Sequence, residues 1–202
     1  MKMSDKDSTR YEGLTTKNAL FISGLVIAPA VTYATSLRHG FMLAAMFTAV
    51  TFLSLLIASF VPRNIVYAVR IILYTFIAAL VYVPVYIIAN QLFPSDLAQM
   101  GVFAPLLITN SFIISKSEVK FFREKRSKMF TDIIFYILGY DVAVILYSAV
   151  RELLSGGSLM GSIYGIPTVM PMFSTTAGGL ILLGFCAALF RAVIHAAGRK
   201  RE

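Results

Sequence analysis

The sequence predicts an all-α membrane protein: six transmembrane helices arranged as two inverted three-helix repeats, with helices 1 and 4 broken. Three observations predict it. Hydrophobic residues make up 58% of the 202 residues and charged ones only 14%, against about 25% charged in ordinary globular domains, and mean hydropathy is +0.79. The apolar residues fall in blocks of about 20, the length that crosses a bilayer as a helix. Two blocks carry an internal proline behind a glycine and ahead of a threonine, in "GLVIAPAVT" at 24–32 and "GVFAPLLITNS" at 101–111.

Residues 1–17 mix Lys2, Asp5, Lys6, Asp7, Arg10, Glu12 and Lys17. They lack the apolar core and small-residue cleavage site of a signal peptide and read as a cytoplasmic tail. The membrane domain is 18–196. Span 1 covers about 18–37 and holds the first break. Span 2 covers about 41–61 and ends at the Pro62-Arg63-Asn64 turn. Span 3 runs over about 66–90 and span 4, with the second break, over about 101–115. Spans 5 and 6 run over about 130–150 and about 175–196, and a basic cytoplasmic tail follows at 197–202.

Orientation follows from the lysines and arginines. With the N-terminus inside, fifteen fall on the cytoplasmic side, including Lys116, Lys120, Arg123, Lys125, Arg126 and Lys128. Only Arg38 and Arg151 fall outside, and Arg70 lies within span 3. Both termini are therefore expected inside. Three spans per half is an odd number, so the second half enters from the opposite face. Interrupted segments in matching positions of such halves point to a functional centre at the midplane. Backbone freed from a helix at that depth must be buried in protein or line a cavity, so the two breaks are expected to face each other. Two ordinary proline kinks are the plainer alternative.

The net charge of +8 belongs to membrane-flanking segments, with no soluble basic domain to engage nucleic acid. A lone Cys186 excludes an intrachain disulfide or a multi-thiolate metal site. No phosphate-cradling glycine loop, zinc spacing or nucleophile elbow is present, and His39 and His195 stand apart near span ends. No catalytic residue and no metal ligand is assigned.

Cavity or ion-path candidates are Pro29, Thr32, Pro105, Thr109, Asn110, Ser111 and Asp141. The hydroxyls and the amide either satisfy backbone freed by the breaks or line a cavity where half-helix ends supply partial charge. Asp141 follows Tyr140 about ten residues into span 5. A carboxylate at that depth either faces an ion path or is held neutral against a tyrosine or a helix break. Interface or gating candidates are Arg70, Glu118, Asp132, Arg151 and Glu152. Asp132 suits the first turn of a helix, and Glu118 pairs with neighbouring lysines or closes the cytoplasmic mouth. Arg151 and Glu152 either snorkel to headgroups or hold the Gly156-Gly157 turn. Small residues Ala177, Gly178, Gly179 and Gly184 suit close helix contact. The apolar loop 155–173 lies on the membrane surface, docks a partner or packs on its own spans.

"GLVIAPAVT" is similar to a "GLCPxLAVT" pattern through Gly24, Leu25, Ala30, Val31 and Thr32. "FAPLLITNSFIISKSE" is similar to "xIPLIVxNCIVxGRAE" through Pro105, Leu106, Asn110 and Glu118, with Lys116 in place of Arg. "TDIIFYILGYD…VRELLSGGSLMG" matches "LDGFxxGxG…LREIIGxGxLxG" through Asp132, Gly139, Arg151, Glu152, Gly157, Leu159 and Gly161, and "VRII" at 69–72 resembles an Arg-Ile opening the third span. These motifs belong to the Rnf/Nqr membrane subunit family (RnfA/RnfE and NqrD/NqrE-like) of ion-pumping electron-transport complexes, which residues 18–190 resemble. The resemblance implies the inverted repeat, a paired homologous subunit and a two-iron two-sulfur centre held between the two subunits, each giving one cysteine from each of its broken segments. Here the first cysteine position is Val26, or Ala28 if the prolines are aligned, and the second is Ser111. Cluster iron needs thiolates or imidazoles, so this divergent member is expected to bind no cofactor alone. The family pattern carries no acid at Asp141.

The expected function is a multi-pass subunit of an Rnf/Nqr-like ion-translocating electron-transport complex in a bacterial or archaeal cytoplasmic membrane, without its own iron-sulfur centre. In that role it is at most a non-catalytic subunit of an NADH- or ferredoxin-linked oxidoreductase. Expected partners are the bilayer, a homologous membrane subunit or a second copy, and flavoprotein subunits carrying flavin or iron-sulfur centres. The alternatives are a small-solute or ion transporter on the same frame, or a non-redox scaffold.

Overall fold

The computed structural model describes residues 18–62, 64–108, 112–115, 126–159, 162–163 and 170–199. Helices dominate it, because a chain in lipid must satisfy its backbone within each crossing segment. A seven-residue helix α1, Ile27–Tyr33, is followed by α2, Leu37–Ala58, and α3, Tyr67–Leu92. The short α4, Pro94–Met100, runs into a 3₁₀ segment, Gly101–Leu107, and one helical turn follows at 112–115. Helix α5, Arg126–Gly156, leads to a two-residue antiparallel ladder, Ser158–Leu159 with Ser162–Ile163. A 3₁₀ turn, Pro171–Ser174, precedes α6, Thr176–Arg199.

The local sequence accounts for most boundaries. Ser36 is extended and its Oγ accepts the His39 N–H at 3.3 Å, capping α2. Pro94 takes the first position of α4, where the missing N–H costs nothing. Gly101 (φ 47, ψ −127) closes that helix in a conformation other residues avoid, and Gly157 (φ 62) follows the end of α5. Pro84 lies inside α3, and the helix continues past it.

Five stretches among the described residues are long and apolar enough to cross a membrane: Leu37–Ala58, Tyr67–Leu92, Pro94–Ser115, Met129–Gly156 and Thr176–Ala196. The predicted span 1 is not among them. Residues 18–26 are mostly turns, and only α1 is helical. Pro29 is not what interrupts it. The helix starts two residues ahead of Pro29, in whose first turn a missing N–H is harmless. Gly24 (φ 63) and Val26 (φ 59), both left-handed, make the interruption. The predicted span 4 begins earlier than 101, because Pro94 restarts a helix directly after α3.

Helices α2 and α5 form the spine of the fold, and α3 packs on α2. Gly40 lies so close to Ser148 that a Cβ there would collide with the serine hydroxyl. The Phe47 and Tyr140 rings stack at 3.9 Å between centroids. About half of the apolar window is buried in α2 (56%) and α5 (50%), against 22% in α3 and in α6. The open face of α3 carries Ile72, Phe76, Leu80, Val83 and Ile87 at helical spacing. In a bilayer such a stripe meets acyl chains or another subunit.

Candidate functional site

The non-helical stretch ahead of α1 is tied to the spine through the side chains of Asn18 and Tyr140. Asn18, 2% exposed, accepts the Leu20 and Phe21 N–H groups on Oδ1, both at 3.0 Å, and donates from Nδ2 to the Gly139 carbonyl at 2.7 Å. The Leu25 N–H closes a loop on the Ala19 carbonyl at 2.8 Å. Val26 then adopts a left-handed backbone, which costs a β-branched residue about 1–2 kcal/mol. The buried Tyr140 hydroxyl donates to the Val26 carbonyl at 3.3 Å. Strain held in place by packing is a marker of functional positions, and Val26 is one of the two positions, with Ala28, at which the family resemblance places the first cysteine. Asn18 was legible as a turn-forming residue at the head of an apolar run, but its long-range bond to Gly139 was not.

Helix α1 packs against the 3₁₀ segment Gly101–Leu107, which brings residues 27–33 and 101–107 together. The Tyr33 hydroxyl donates to the Asp96 carbonyl at 2.9 Å. Pro29 is buried there, whereas Pro105 is exposed. Thr32 donates to the Ala28 carbonyl at 2.7 Å, one turn back on its own helix. Thr109, Asn110, Ser111 and Glu118 lie outside the described residues.

Arg151 occupies the end of this junction and is fully buried. Its Nε donates to the Phe173 carbonyl at 2.8 Å, and Nη1 donates to Val31 at 2.6 Å and Ala34 at 3.3 Å. Nη2 donates to Ser174 at 3.3 Å and Thr175 at 3.0 Å. The guanidinium thus bolts the end of α1 to the start of α6. It neither snorkels to headgroups nor holds the Gly156-Gly157 turn, because its planar fork finds a ring of carbonyls inside the protein. Tyr147 lies beneath it, 5.8 Å from the ring centroid, and donates to the Gly179 carbonyl at 2.9 Å. Gly179 has no room for a side chain: a Cβ there would lie 2.7 Å from Arg151 Nη2. Gly178 is as tightly placed against the Met172 carbonyl, but Gly184 faces open space and Ala177 is exposed. Glu152 Oε2 accepts the Leu37 N–H at 2.7 Å, satisfying an orphan donor in the first turn of α2.

Asp141 lies near the middle of the apolar stretch Met129–Gly156. Its partner is Thr48 of α2, not a tyrosine: Thr48 Oγ1 donates to Oδ2 at 2.5 Å. The other oxygen, Oδ1, is buried with no hydrogen-bond partner among the described residues. A buried unsatisfied carboxylate oxygen is costly. Thr48 gave no signal in the sequence, since only the packing of α2 on α5 brings it to Asp141.

Other charges fall into place around this frame. Arg38 Nε and Nη2 donate to Asp96 Oδ2 at 3.1 and 2.8 Å. Arg70 (9% exposed) and Asp132 (8%) are both buried, each with an interaction partner. Asp132 is not in a first turn, because α5 begins at Arg126 and places it a turn and a half further in. His39 stacks on Tyr33 at 4.7 Å and bonds Thr35, while His195 is exposed. Among the described residues no three His, Cys, Asp or Glu side chains gather as a metal site. Val26 and Ala28 carry no ligand atom at all, and Cys186 is half-buried on α6. That donor set does not fit a thiolate-held iron-sulfur centre.

The sequence matches the family described as "Rnf-Nqr subunit, membrane protein" over residues 8–187. It is 36% identical over 144 residues to the NqrD subunit of the Na(+)-translocating NADH-quinone reductase of Shewanella sp. (strain W3-18-1), covering 71% of this chain and 67% of that one. With the NqrD subunit of Haemophilus influenzae (strain PittGG) it shares 33% identity over 162 residues, or 80% of this chain and 73% of the relative. The NqrD subunit of Yersinia enterocolitica (serotype O:8 / biotype 1B) is 33% identical over 143 residues, 71% and 68% of the two chains. With a family match across most of its length and relatives covered over two thirds or more, the chain belongs to the Rnf-Nqr family of membrane subunits.

Proposed function

We propose that the protein is a membrane subunit of an Nqr- or Rnf-type assembly that couples electron transport to ion movement. The supporting observation is the family match over residues 8–187, with relatives that are NqrD subunits of a Na(+)-translocating NADH-quinone reductase. Its place is the cytoplasmic membrane with both termini inside, paired with a homologous subunit or a second copy and with flavoprotein subunits beyond. The two halves form an inverted repeat whose interrupted helices, at 24–32 and 101–111, meet at the centre. Contact between α1 and the 3₁₀ segment supports this arrangement. The chain contributes no half of an iron-sulfur centre, since valine or alanine stands at the first ligand position. If electrons pass through the pair, other ligands or a partner subunit hold the carrier.

A second reading, an ion or small-solute path on the same frame, is favoured by Asp141 and its unsatisfied oxygen beside Thr48. One preparation separates the two. The protein is purified with whatever accompanies it, and iron, acid-labile sulfide and flavin are measured. Flavoprotein partners with no iron in the isolated chain are expected. Stoichiometric iron in the isolated chain overturns the lost-cluster reading. A lone dimer whose vesicles take up solute favours the transport reading.

A further inference from the structure

Helices α2 and α3, with Phe93 and Asp96 beyond the end of α3, line a trough of about 620 Å³, within the range of pockets that hold a small molecule. Ala45, Ala49, Ala89, Leu53 and Ile88 are among the residues that line it. Its lining is apolar except at one end, where Arg38 and Asp96 stand. The trough follows α2 from Arg38 to Leu53, about 22 Å at the helical rise. One leaflet of a hydrocarbon core that is about 30 Å thick is shorter than that. An extended polymethylene chain matches an apolar trough of that length.

The polar end has an asymmetry that selects the headgroup. Asp96 is almost wholly buried, at 6% side-chain exposure, while Arg38 remains 66% exposed. Both bonded nitrogens of Arg38, Nε and Nη2, go to the single oxygen Asp96 Oδ2. Its Nη1 makes no hydrogen bond among the described residues. The carboxylate therefore fixes the guanidinium at the mouth and leaves a donor edge free. Phosphate is the group that such an edge recognises best. Arg38 is also the second residue of α2, at the helix end where a headgroup sits.

We propose that this trough is a phospholipid site, with one acyl chain lying between α2 and α3 and the lipid phosphate on Arg38. Delipidated protein in detergent is incubated with dioleoylphosphatidylglycerol, or with dioleoylglycerol as the same chains without phosphate, and bound molecules are counted by native mass spectrometry. The full chain is expected to hold one phosphatidylglycerol and to bind dioleoylglycerol at least tenfold more weakly. Ala45→Phe fills the trough from an exposed position and leaves Arg38 and Asp96 in place; it is expected to lower phosphatidylglycerol occupancy at least tenfold. Arg38→Gln is expected to bring phosphatidylglycerol binding down to that of dioleoylglycerol. Equal occupancy in wild type and Ala45→Phe overturns the proposal, as does equal binding of the two lipids by wild type. So does recovery of a quinone in the trough in place of phospholipid.

Discussion

Ten residues separate Asp141 from Arg151 on α5, and the fold surrounds them in opposite ways. Arg151 donates five hydrogen bonds to backbone carbonyls drawn from both ends of the chain. Asp141 has one hydroxyl on one oxygen and, among the described residues, no partner on the other. Burial of a charge is tolerable when its hydrogen bonds are complete, so Arg151 is a structural bolt. The incomplete shell of Asp141 is a cost with no return in packing, and such a cost is expected where something must bind or pass.

The comparison breaks first at the bolt. Arg151→Lys replaces a planar fork of five donors with a compact ammonium of three. Several carbonyls at the start of α6 and the end of α1 then lose their partners. A loss of about 3 kcal/mol or more is expected, seen as a fall in Tm of about 10 °C in detergent or as failure to accumulate in the membrane. An unchanged Tm would mean that the carbonyl ring holds without the guanidinium.

A smaller effect tests the same contact from the other side. Gly179→Ala pushes a methyl group against Arg151 Nη2 and the Tyr147 hydroxyl, at 2.7 and 2.9 Å. About 1–3 kcal/mol of destabilisation is expected. Most of it should disappear when Arg151 is already alanine, because residues in contact are not additive. Additive losses in the double variant would place the strain elsewhere.

The smallest effect on stability is expected at Asp141. Asn at this position keeps an acceptor for Thr48 and removes the charge, so stability should stay within about 1 kcal/mol of wild type. Function should separate from stability here: ion-coupled turnover of the assembled complex falls while its Tm holds. If turnover in Asp141→Asn matches wild type, Asp141 is a packing residue and the contrast with Arg151 is one of degree.

Much of this was legible before any tertiary contact. Five of the six expected spans correspond to long apolar stretches among the described residues, as blocks long enough to cross a bilayer require, and the motifs around Gly24, Pro105 and Arg151 carried the family. Pro29 misled, because a proline in an apolar run looks the same whether it breaks a helix or begins one. The left-handed Val26 could not be read from sequence, since valine has no preference for that backbone. Asp132 was placed in a first turn because a stretch of basic residues looked like loop, whereas α5 starts six residues earlier.

The sequence by itself determined that the chain crosses a membrane as helices and to which family it belongs, because hydropathy blocks and local motifs act over short stretches. Only the tertiary structure decided what the charges do. Arg151 turned inward because carbonyls from α1 and the start of α6 converge on it, across separations of 117 to 120 and 22 to 24 residues. Asp141 has one oxygen without a partner among the described residues, because α2 presents it the single hydroxyl of Thr48. Partners that far apart in the chain leave no local signal, and their meeting is fixed by how helices pack.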